Sequence, residues 1–148
     1  MKNTVFANDP MAMMAQAFEE LYPKKKYIAR IVDRIVDEND NEKLSGTAFP
    51  KDGGVPIILV SAQADYINMI GAFSQELAHV AAGAPKAGTD GRTPEWKTAM
   101  NVINRRYQQI VQKNEETAQK AMEAMEAEGS KDNGEAERAL QGVQEQDG

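Results

Sequence analysis

Between Val55 and Ala82 the hydrophobic pattern changes period once, and that change restricts the fold more than any other feature of the chain. Val55-Pro56-Ile57-Ile58-Leu59-Val60 is a short, largely β-branched apolar run, which predicts a strand, with Pro56 marking its start or an edge. From about Ala62 to Ala82 the apolar residues Ile67, Ile70, Phe73, Leu77 and Val80 recur every three or four positions, which predicts an amphipathic helix. Gly83 ends it, and Pro85 follows shortly after. A strand feeding directly into a helix is therefore expected at the centre of the chain.

The flanking segments extend the same architecture. Met11, Met14, Phe18 and Leu21 stand at helical spacing, with Asp9 as the expected cap and Pro23 as the stop. Between Tyr27 and Asp37, Ile28, Ile31, Val32, Ile35 and Val36 fit a helix by spacing and a strand by β-branching, so periodicity leaves this segment open. Asn39-Asp40-Asn41 and Pro50-Lys51-Asp52-Gly53-Gly54 are turn signals on either side of an expected short strand, Leu44 to Phe49. After a Gly-rich loop from Ala84 to Arg92, Thr93 caps a helix with Pro94 at its first position and Glu95 in its first turn. Trp96, Met100, Ile103, Tyr107 and Ile110 or Val111 form its apolar stripe. This helix is expected to run to about Glu128 and to give way at Gly129 to a largely disordered tail.

Charge divides the chain earlier, after Gln112. The 13 acidic and 13 basic residues up to Gln112 cancel, and residues 113–148, with ten acidic and four basic, carry the whole net charge of −6. The expected organisation is therefore one domain over 1–112, followed by a helix extension and acidic tail over 113–148. A neutral body with an acidic extension argues against sequence-independent nucleic-acid binding, the Lys24-Lys25-Lys26 cluster notwithstanding. No export signal opens the chain, no apolar run approaches a membrane span, and there is no cysteine. A soluble, cytoplasmic protein without a membrane partner is expected.

The predicted central helix carries the one chemically suggestive motif, Gln75-Glu76-Leu77-Ala78-His79-Val80. Gln75 and His79 keep the i, i+4 spacing that places two ligands on one helix face, and Glu76 stands where a general base would act on metal-bound water. A carboxamide is a poor substitute for imidazole on zinc, and His79 is the only histidine in the chain.

In their order, the strand, the helix with Glu-Leu-Ala-His-Val-Ala-Ala-Gly, the Gly-rich loop and Thr-Pro-Glu-Trp-Lys resemble small zincin-like metallopeptidase domains of bacteria and phages. The correspondence covers roughly Phe18 to Tyr107, and its specific signals lie between Ile57 and Tyr107. In that family the helix carries His-Glu-Leu-x-His-Val and a third His precedes Pro-Glu-Trp. Carried over, the resemblance places the metal positions on Gln75, His79 and Arg92 and the general base on Glu76. Two of the three ligands are thus replaced, one by an amide and one by a cation that repels a divalent ion.

The resemblance therefore implies an α+β, minimal zincin-like fold, with a small sheet packed on the motif helix and a long C-terminal helix, a degenerate motif and a non-catalytic binding or regulatory role. No cofactor is expected, and a protein partner is. In this reading Arg92 enters the old metal site and pairs with Glu76. Two alternatives stay open: an active metal-dependent hydrolase using Gln75, His79 and a loop acid such as Asp90, with zinc as cofactor, and a phage structural or host-interaction protein contacting its partner through the tail or the Met-rich first helix.

Overall fold

A computed structural model describes residues 9–147, with side chains over residues 9–127. The fold is α+β: three helices and a small mixed sheet, ending in a long C-terminal helix. Helix α1 spans Pro10–Leu21, strands β1 to β5 span Ile28–Val32, Ile35–Val36, Glu42–Lys43, Ser45–Ala48 and Ile57–Ser61, and α2 and α3 span Tyr66–Ala82 and Pro94–Asp147. The chain divides into a compact unit of residues 1–111 and a second unit of residues 112–148.

The run after Pro56 is β5, the middle strand of a three-stranded sheet ordered β1-β5-β4. The ambiguous segment resolves as strand: β1 pairs with β5 in parallel, Ile28 opposite Ile57 and Val32 opposite Ser61. Its β-branched residues give it that preference, and β5 supplies the ladder that a helix would forgo. Strand β4 pairs with β5 antiparallel, Ser45 opposite Val60 and Thr47 opposite Ile58. Pro56 lies just outside β5, where its missing N–H costs no ladder bond and its carbonyl accepts from the N–H of Ile28. Strands β2 and β3 form a separate hairpin around Asp37, whose carboxylate accepts from the N–H groups of Asn39 and Asn41. Those bonds hold its carboxyl below the usual range.

Side-chain alternation along β5 divides the sheet into two faces. Ile58 and Val60 are buried, and they meet Met14 and Phe18 of α1, Phe73, Leu77 and Val80 of α2, and Ala99 and Ile103 of α3 in one core. Phe18 stacks near Tyr22 and meets Tyr27 edge-on at 5.4 Å, and Tyr27 in turn meets Phe73. Burial, with Glu19 nearby, pushes the Tyr27 phenol up to about 12. Met13, Ala17 and Ile110 form a second, smaller cluster. The Met-rich first helix is thus a packing element over much of its length.

The helix ends follow capping chemistry. Asp9 caps α1 and also receives a hydrogen bond from the Tyr66 hydroxyl. Helix α2 starts at Tyr66 and not near Ala62, because the Asp65 carboxylate takes the Asn68 N–H at 2.9 Å and residues 62–65 form a turn braced by Ser61. Gly83 closes α2 at φ +94°, a conformation that favours glycine, and its N–H reaches the His79 carbonyl. Thr93 caps α3 by accepting from the Trp96 N–H. Helix α3 continues past the expected end near Glu128 to Asp147. The side chains of the expected tail, from Gly129 on, lie outside the described residues.

Within the second unit, Met122 and Met125 are 58% and 70% exposed. Truncating Leu77, which is fully buried within the main core, should remove about 3 kcal/mol of stability. Met125→Ala should change it by less than about 0.5 kcal/mol. Urea unfolding followed by circular dichroism measures both.

Candidate functional site

The motif helix delivers Gln75, Glu76 and His79 to one cleft of about 730 Å³, whose walls are α2, β4 with the preceding Glu42–Leu44, and the loop from Pro85 to Arg92. Asp90 and Arg92 line the same cleft. The structure therefore gathers every residue singled out from the motif.

Their contacts differ from the expected ones. Glu76 is 8% exposed, and its two carboxylate oxygens are each taken by a hydroxyl from β4: Ser45 at 2.7 Å and Thr47 at 2.6 Å. Ser45 and Thr47 alternate with Gly46 and so share the inward face of the sheet with Val60 and Ile58, the face that α2 covers. The expected ion pair between Arg92 and Glu76 is not formed: the Arg92 guanidinium lies over the Trp96 ring, 5.5 Å from its centroid. An exposed cation gains from a ring face and keeps its hydration there, whereas reaching a buried carboxylate already holding two donors would strip that hydration.

Trp96 organises the rest of this wall. Its indole N–H donates to the Gln75 carbonyl at 3.1 Å, which fixes the first turn of α3 to α2. The His79 ring packs 5.4 Å from the Trp96 ring at 32°. Gly91 runs across His79 so closely that a Cβ there would stand 3.2 Å and 3.3 Å from two imidazole atoms and 2.8 Å from Pro85. Its φ of +73° is also one that side-chain-bearing residues avoid. Burial pushes the His79 imidazole below its ordinary pKa; the Glu76 charge opposes this, Arg92 assists it and Asp90 opposes it.

The zinc positions implied by the resemblance hold an amide, one imidazole and a guanidinium. Among the described residues, no group of three His, Cys, Asp or Glu side chains stands close enough to hold a metal ion. Asp90, the loop acid of the rearranged set, accepts the Arg92 backbone N–H at 2.9 Å within its own loop. These donors do not fit zinc.

Ser45, Thr47 and Gly91 were not identified from the sequence. The signal for the first pair is faint: two hydroxyl residues two apart in a short strand share a face, but nothing in sequence links them to Glu76, some 30 residues away. Comparison of the chain with protein-family models, with curated proteins and with solved structures finds no match. Among the described residues, no helix is long and apolar enough to cross a membrane.

Replacing either hydroxyl should leave one oxygen of a buried carboxylate short of a donor. Thr47→Val and Ser45→Ala should each cost about 1–3 kcal/mol, measured by urea unfolding at pH 7. The sign for His79 is the reverse of a salt-bridged histidine. With its folded pKa lowered, its contribution is fully present above the unfolded value of about 6.5 and is lost as pH falls toward the folded value. Trp96 is the only tryptophan, so its fluorescence should titrate with His79 below pH 6.5, and His79→Gln should remove that transition.

Proposed function

We propose that this chain is a metallopeptidase-like but non-catalytic binding module that works without a metal and receives an extended peptide segment along β4. The carrying observation is the pair of hydroxyl bonds from Ser45 and Thr47 to Glu76. They occupy both oxygens of the group a peptidase would need as a free base, and they fix the strand that faces the cleft.

Strand β4 is an edge, and its hydrogen-bonding register supports the rest. The Ser61 N–H donates to the Leu44 carbonyl at 2.8 Å, so Leu44 and Ser61 are a bonded pair of the antiparallel ladder. Bonded and non-bonded pairs alternate, so Gly46 and Ala48 bond to β5 while Ser45 and Thr47 turn their main-chain N–H and C=O groups to the open edge. An extended segment laid there gains a ladder from the backbone alone, and the cleft behind β4 takes its alternate side chains. Arg92 and Lys43 on the cleft walls supply polar contacts.

A pool of random extended peptides passed over the immobilised protein should leave a retained, uncleaved fraction. Titrated into the isotope-labelled protein, retained peptides should slow amide exchange at Ser45 and Thr47. Cleavage of any peptide that disappears with Glu76→Gln would overturn the non-catalytic reading. Stoichiometric zinc in protein purified without added metal would overturn the metal-free one.

A further inference from the structure

A second concavity, of about 390 Å³, lies where the turn after α1, the turn before β5 and the end of α2 meet. Phe49 and the exposed Val55 contribute apolar surface over the buried Val80, and Lys24, Lys25 and Lys26 form its basic side. Among the described residues no acidic side chain lines it, and the three exposed lysines make no ion pair. Three consecutive cations beside exposed apolar surface call for a counterpart that is both acidic and apolar.

The same chain carries such a counterpart. Glu115, Glu116, Glu123 and Glu126 are exposed on helix α3, together with Met122 and Met125. Met122 lies seven residues after Glu115 and four before Glu126, so these three share one helical face and place a flexible apolar side chain between two charges. The charge is matched at a larger scale as well, because residues 113–148 carry the entire net −6.

We propose that the lysine cleft of one molecule receives the acidic, methionine-bearing stretch 115–126 of a second copy, so that the chain self-associates through two different surfaces. Such an interface is heterologous, and association can continue beyond a pair. A protein helix suits the site better than a nucleic acid because Val55 is 41% exposed beside the lysines and gains nothing from a phosphate backbone. The proposal is independent of the peptide-binding reading of the β4 edge.

Sedimentation velocity of the full chain tests it. At low salt the weight-average mass should rise with concentration above the 16.3 kDa of one chain, and at about 0.5 M salt, where screening is strong, it should fall back. Lys24→Glu with Lys25→Glu and Lys26→Glu should abolish association. So should the reciprocal set, Glu115→Lys, Glu116→Lys, Glu123→Lys and Glu126→Lys. All seven positions are exposed, and circular dichroism checks that both variants stay folded. An equal mixture of the two reversed variants should associate again. A monomer at every concentration, association unaffected by the lysine reversal, or a mixture that stays monomeric would overturn the proposal. Lysine-dependent binding of a labelled oligonucleotide to a monomeric protein would overturn it in favour of nucleic acid.

Discussion

A carboxylate held almost entirely out of water, between a helix and an edge strand, must find in the protein the hydrogen bonds it gives up in solvent. Glu76 finds one for each oxygen, from Ser45 and Thr47. The consequence reaches beyond the residue. Strand β4 has a ladder partner on one side only, β5, and the two hydroxyl bonds tie its inward face to α2. They thereby set the cleft wall and leave the main-chain groups of Ser45 and Thr47 facing its open side. Leu77, next to Glu76, projects into the core formed by all three helices and the sheet. Consecutive residues of one helix turn thus hold the apolar and the polar halves of the fold together.

Much of this architecture is legible in the sequence wherever local signals agree. Pro56 with the β-branched run after it, Thr93-Pro94 before Trp96, Asp9-Pro10 and the closing Gly83 each combine a period with a stop or a cap, and each element appears where those signals place it. The segment from Ile28 to Val36 is open because its spacing and its residue types disagree; Ile28 to Val32 are decided by a non-local partner, the parallel strand β5, which no window around Ile28 contains, and Ile35 and Val36 by the nearby β3. The expected start of α2 near Ala62 is too early for a different, local reason. Ala62 to Ala64 have no helix-breaking residue, and only the side chain of Asp65, bonded to Asn68, moves the boundary.

The candidate site divides in the same way. That Gln75, Glu76 and His79 face one cleft follows from helical spacing. That Asp90 and Arg92 reach it depends on a loop whose course is set at Gly91, where only a residue without a side chain clears Pro85 and His79. The pairing of Arg92 with Glu76 is expected from the two substitutions at the metal positions that the resemblance implies, with the cation taking the place of the ion. It failed because charge does not count donors: Glu76 is already satisfied, and Trp96 offers the guanidinium a face at the surface.

A metal ion in a site of the kind this motif resembles would do structural work as well as chemistry, because its ligands would join α2 to the segment ahead of the next helix. Here three direct contacts join the same elements. The Trp96 indole bonds to the Gln75 carbonyl, the His79 ring lies against the Trp96 ring, and the backbone at Gly91 packs on His79. None of the three needs an ion, and each uses a position in or beside the motif. Gln75 takes part through its backbone carbonyl, and the Arg92 guanidinium lies over the ring that this carbonyl holds in place. The cleft keeps its walls through packing and hydrogen bonds, with β4 as an edge strand of the described sheet.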